Sequence, residues 1–109
     1  RPISVLAFHG TGDRIVPYDG AGKVLPPIPV WAARWAARDG CDGTSHVFLD
    51  QDGVVGERWE TCDQGSEVIL YTIDGGGHTW PGANPLPGAQ NPIDATATMW
   101  GFFQDHPMP

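Results

Sequence analysis

The sequence predicts an α/β fold in which two buried parallel strands are joined through a crossover helix. Three observations carry this. Ile3-Ser4-Val5-Leu6-Ala7-Phe8 is a near-continuous apolar run without strict alternation, the pattern of a strand covered on both faces. Val68-Ile69-Leu70-Tyr71-Thr72-Ile73 repeats that pattern. Between them, Pro29 to Asp39 has the composition of a helix, which is the long connection a parallel pair requires, and such crossovers are right-handed. The 109 residues suffice for one domain and not for two.

Each element has its own justification. The first run ends at His9-Gly10, and Gly12, Pro17, Gly20, Gly22 and Pro26-Pro27 make the following stretch a loop. Pro29 fits the first turn of a helix, and Ala32, Ala33, Ala36 and Ala37 favour it. Trp31 and Trp35 stack four residues apart, and Gly40 stops the helix. After Cys41 a polar loop leads to Val47-Phe48-Leu49. Asp52-Gly53 is a tight-turn signal before Val54-Val55 and Glu57-Arg58-Trp59-Glu60, so a small hairpin or irregular insert is expected. Asp74 and three glycines stop the second run, and Gly75 to Pro92 is a long loop. Asp94 caps a last helix, Ala95 to Gln104, with Met99, Trp100 and Phe103 on one apolar face. Trp31, Trp35 and Trp100 thus read as core-facing.

Composition narrows the partners. Fifteen Gly and eleven Pro make the chain loop-rich, while five Trp and four Phe give it large apolar side chains that a disordered chain lacks. The net charge is −7 and Lys23 is the single lysine, which argues against nucleic acid or an anionic membrane surface. No apolar run approaches the roughly 20 residues of a membrane span. Cys41 and Cys62 lack the close spacing of a zinc knuckle or redox pair, and no other spacing suggests a metal site. An even cysteine count in such a chain suggests a structural disulfide; the alternative is two buried free thiols in a cytosolic protein.

If the two strands are parallel, both end on the same edge of the sheet, where open α/β sheets bind ligands. Asp13 follows the first run closely and His78 the second. An Asp that accepts a hydrogen bond from one ring nitrogen of a His fixes its tautomer, leaving the other nitrogen to take a proton from a hydroxyl. Asp13 and His78 suit those roles. The alternative is a loop acid bonded to its own backbone and an exposed loop histidine. Trp80, and more weakly Tyr18, are candidates for a substrate cleft, with loop packing as the alternative. His9 reads as a shaping residue at the strand end, and His46 and His106 as surface residues. A dinucleotide fingerprint would need Gly where Ile15 and Trp80 stand.

These residues also resemble a known family. His9-Gly10-Thr11-Gly12-Asp13-Arg14-Ile15-Val16-Pro17-Tyr18 resembles the segment that carries the acid of α/β-hydrolase esterases. Gly75-Gly76-Gly77-His78-Thr79-Trp80-Pro81-Gly82 resembles the histidine loop of the polyhydroxybutyrate depolymerase and feruloyl esterase group. The Trp-rich helix before Gly40-Cys41, the later Cys62, and Trp100-Gly101-Phe102-Phe103 resemble that group's closing region. The resemblance covers nearly the whole chain; the second motif is specific and the first is shared more widely among hydrolases.

The resemblance implies that residues 1–109 are the C-terminal portion of a single α/β-hydrolase domain. The parent would be a secreted (extracellular or periplasmic) serine esterase acting without a cofactor on a polyester or plant cell-wall ester. Asp13 would be the triad acid, His78 the base, and Cys41 and Cys62 the group's structural disulfide. One departure is large: Ser4, Ser45 and Ser66 are the only serines, and none has the flanking glycines of a G-x-S-x-G elbow. The nucleophile and oxyanion donors are therefore expected in an N-terminal half outside this chain, which alone would be inactive. The competing class is an extracellular carbohydrate-binding module, which needs several Trp exposed on one face.

Overall fold

The computed structural model describes residues 2–78 and 93–107. Strand β1 (Val5–Gly10) leads through a long loop to helix α1 (Ile28–Arg38). A hairpin of β2 (His46–Gln51) and β3 (Val54–Trp59) follows, then a 3-10 turn (Asp63–Gly65), strand β4 (Val68–Ile73) and helix α2 (Ala95–Asp105).

The strands form one mixed sheet in the order β1-β4-β3-β2. β1 and β4 are parallel, in register from Val5↔Val68 to Gly10↔Ile73, as the two apolar runs predict. β1 extends two residues past the apolar run, so His9 and Gly10 belong to the ladder. The hairpin corrects the expected small insert: β3 pairs antiparallel with β4 along its whole length, and β2 pairs with β3. The insert therefore widens the main sheet. Asp52 and Gly53 both take positive φ, the geometry of a two-residue turn that matches strand twist. Cys41 and Cys62 are disulfide-bonded, tying the exit of α1 to the exit of β3.

Side chains of β4 alternate between two cores. Val68 and Leu70 pack with Trp59 against Ala32 and Ala36 of α1. Ile69, Tyr71 and Ile73 pack with Val54 and with Phe102 of α2 on the other side. The helices thus cover opposite faces of the sheet.

On α1 the small residues Ala32 and Ala36 face inward and let the helix approach closely. Trp31 and Trp35 sit beside that contact on the flank, edge to face at 6.5 Å, and Arg38 lies over Trp35. Trp31 is 36% exposed, which corrects its reading as core. On α2 the Asp94 carboxylate accepts a hydrogen bond from the Ala97 N–H, the expected cap. The inward residues, however, are Ala95 and Phe102, while Trp100 is 65% and Phe103 50% exposed. The large apolar residues span a broad arc from Phe102 through Met99 and Phe103 to Trp100, and the sheet covers only its Ala95–Phe102 side.

His106 is not a plain surface residue either. Its Nε2–H donates to Glu67 Oε1 at 3.1 Å and its Nδ1 accepts from the Ser4 hydroxyl at 3.2 Å, fastening the end of α2 to the sheet. His46 is exposed and lies 3.2 Å from Glu60. Trp59 is buried, and Trp31 and Trp100 lie on helices at opposite faces. The Trp residues described here therefore form no common platform of the kind a carbohydrate-binding module needs.

Candidate active site

Because β1 and β4 are parallel neighbours, the segments that follow them leave the same sheet edge side by side. Backbone hydrogen bonds stitch the two together: Thr11 N–H to Ile73 O at 3.0 Å and Gly12 N–H to Gly76 O at 2.9 Å. The Thr11 hydroxyl accepts from the Gly75 N–H at 2.7 Å. The approach is so close that a Cβ on Gly10 would collide with the Gly76 carbonyl, and Gly75 turns the chain at φ +72°. The glycines at these two strand ends thus serve backbone contact.

This contact brings Asp13 and His78 together. Asp13 is buried, 8% exposed, at the start of a turn in which its Oδ1 accepts from the Ile15 and Val16 N–H groups, both at 2.8 Å. Its Oδ2 accepts from His78 Nδ1 at 2.8 Å. The sequence left two readings of Asp13, a loop acid bonded to its own backbone or the partner of His78; the carboxylate does both, one oxygen each. Burial pushes its pKa up, but the Val16 N–H, His78 and the Ile15 N–H outweigh that and hold it at about 2, below the ordinary 3.8.

An ionised carboxylate only accepts, so His78 carries its proton on Nδ1 and presents a lone pair at Nε2. The His78 side chain is 51% exposed and the Asp13 side chain 3% exposed. A buried, fixed anion behind a half-exposed imidazole can steady the charge the ring acquires when Nε2 takes a proton.

Tyr18 sits on the loop after β1, half-buried, with its hydroxyl hydrogen-bonded to Thr72 of β4 at 2.8 Å. Trp80 lies outside the described residues. The three serines are engaged elsewhere: Ser4 with His106, Ser45 with Glu57 at 2.7 Å and Ser66 with the Asp63 carbonyl at 2.8 Å. Sequence reasoning missed Thr11, whose tie to Gly75 joins the two site segments; its only signal was its place between the strand end and Asp13.

No family model matches the sequence. Curated relatives do. The chain is 37% identical over 86 residues to "Feruloyl esterase B" of Piromyces equi, covering 72% of this chain and 16% of that protein. It is 35% identical over 104 residues to "Probable feruloyl esterase C" of Aspergillus oryzae, covering 94% of this chain and 33% of that protein. The protein of the same name from Aspergillus flavus is 33% identical over 107 residues, again 94% of this chain and 33% of the relative. The chain therefore spans a third or less of the length of these relatives. In sequence, and across most of its own length, this chain is related to esterases.

Proposed function

We propose that these residues supply the acid and base of a secreted serine esterase of the α/β-hydrolase fold, acting on feruloyl or related plant cell-wall esters. The observation that carries this reading is the 2.8 Å hydrogen bond between His78 Nδ1 and the buried Asp13 carboxylate at the carboxyl edge of the parallel strands. The relatives named feruloyl esterase supply the substrate class, and the disulfide fits an oxidising compartment.

In this reading a serine outside residues 1–109 presents its hydroxyl to His78 Nε2. The ring takes the proton as the oxygen attacks the ester carbonyl carbon, and Asp13 stabilises the resulting imidazolium. The tetrahedral adduct collapses to an acyl-serine as His78 returns the proton to the leaving alcohol. Water then repeats the sequence: His78 takes its proton as the water oxygen attacks the acyl carbon, and returns that proton to the serine oxygen as the acyl–serine bond breaks and the acid leaves. Trp80, two residues beyond the base in sequence, and Tyr18 are assigned to substrate contact in this reading. No cofactor enters.

The test uses the full polypeptide that carries these residues and a soluble aryl ester. His78→Ala removes proton transfer from both half-reactions, so kcat falls by about four orders of magnitude with little change in KM. Asp13→Asn also lowers kcat strongly, because an amide can hold the wrong tautomer, and His46→Ala is the neutral control. A folded His78→Ala enzyme within about tenfold of wild type overturns the assignment. A fluorophosphonate probe should label a serine outside this chain; labelling at Ser4, Ser45 or Ser66 contradicts the proposal.

A further inference from the structure

His9 stands one residue before the end of β1, opposite Thr72 of β4. Its side chain is 16% exposed, and its Nε2 lies 2.7 Å from the Val16 carbonyl oxygen and 3.3 Å from Asp13 Oδ2. The first is a carbonyl and the second an ionised carboxylate, so both neighbours only accept. Nε2 must therefore carry a proton, and its N–H donates to the Val16 carbonyl, with the Asp13 carboxylate beside it at ion-pair distance. Val16 in turn donates its own N–H to Asp13 Oδ1. The ring of Tyr18, anchored through Thr72, stands 6.2 Å from the His9 ring, centroid to centroid.

We propose that His9 is a positioning residue for the acid–base pair: its Nε2–H holds Val16, and through Val16 the Asp13 carboxylate, to the end of β1, so that Asp13 Oδ2 meets His78 Nδ1 in one fixed direction. This rests on the esterase reading above, but its geometry reaches the reaction only through Asp13. The hydrogen-bonded route runs from His9 to the Val16 carbonyl and from the Val16 N–H to Asp13 Oδ1, while Oδ2 lies 3.3 Å from the His9 ring. Loss of the donor leaves the Val16 carbonyl short of a partner and frees the Ile15–Val16 turn to shift. A carboxylate displaced by a fraction of an ångström no longer holds His78 in one tautomer, and misplacement on that scale is felt in kcat rather than in binding.

The experiment is nitrogen NMR on the full polypeptide with 15N confined to histidine, together with kinetics on a soluble aryl ester. In the wild type His9 should be the Nε2–H tautomer and His78 the Nδ1–H tautomer. His9→Leu keeps an apolar bulk and removes the donor; His78 should then mix tautomers and kcat should fall at least about tenfold with KM within about twofold. His9→Gln places an amide donor near the Nε2 position and should restore the single His78 tautomer and about a third or more of wild-type kcat.

Three results overturn the proposal: a wild-type His9 without a proton on Nε2, a folded His9→Leu protein that keeps a single His78 tautomer, or equal impairment of the Gln and Leu variants. The first needs no variant and so decides the matter even if His9→Leu fails to fold. The tautomer measurements need no turnover, so failure of the clamp is distinguishable from failure of the esterase reading, which His78→Ala tests.

Discussion

Asp13 and the glycines around it carry the most exacting local constraints. The Asp13 carboxylate is held at about 2, against its ordinary 3.8, by two backbone N–H groups and His78 in spite of burial. Because the folded value lies below the unfolded one, ionised Asp13 contributes stability in full above the unfolded pKa and loses it as pH falls towards about 2. A carboxyl carbon NMR titration should find this midpoint, and His78→Ala should raise it only partway, since Ile15 and Val16 still donate. Gly10→Ala is the complementary variant. Its methyl group meets the Gly76 backbone, which cannot yield without parting the two site segments. The expected loss is about 3 kcal/mol by denaturant unfolding, with the Asp13–His78 hydrogen bond broken in the folded remainder.

The disulfide acts at the level of the elements. Cys41 follows α1 and Cys62 follows β3, so the bond closes a loop that contains the whole hairpin and fixes where β3 must start back towards β4. Replacing both cysteines with serine should cost about 3 kcal/mol, measured by denaturant unfolding, as expected for a loop of this length. Alkylation of both residues in protein that has never met a reductant would contradict the bond. The cap of α2 is a smaller contribution of the same kind: Asp94→Ala should cost about 1 kcal/mol.

Across the molecule, one side of the sheet stands out. Among the described residues β1 is hydrogen-bonded to a strand on one side only, the β4 side. Ala7, Phe8 and His9 together with Val16, Leu25, Pro26, Ile28 and Trp31 line an apolar cavity of about 350 Å³. Successive strand residues point to opposite faces, so a cavity touching three in a row runs along the strand's edge rather than over one face. Trp100 and Phe103 add exposed apolar surface on α2. In the proposed esterase a neighbouring strand and helix from outside residues 1–109 would cover this side. Produced alone, the 109 residues should self-associate, since open edges pair with other chains. Sedimentation velocity over a concentration series checks this; a monodisperse monomer with a cooperative thermal transition would count against it.

Much of this arrangement was legible in the linear chain because it depends on local chemistry. The two apolar runs marked β1 and β4, the alanine-rich stretch marked α1, Asp52-Gly53 marked the hairpin turn and Asp94 marked the cap. The short chain distances of Asp13 and His78 from two strand ends placed them on one edge once the strands were parallel. Other features had no local signal. The apolar arc of α2 is broad, so only packing against the sheet separates Phe102 from Trp100 and Phe103. The hairpin could extend the sheet only because β4 offered it a second edge. The links of His106 to Ser4 and Glu67, of Thr11 to Gly75, and of His9 to Val16 and Asp13 are set by distances across folded segments. Periodicity records which face a residue shares with its chain neighbours. It carries no information about what another part of the chain will place against that face.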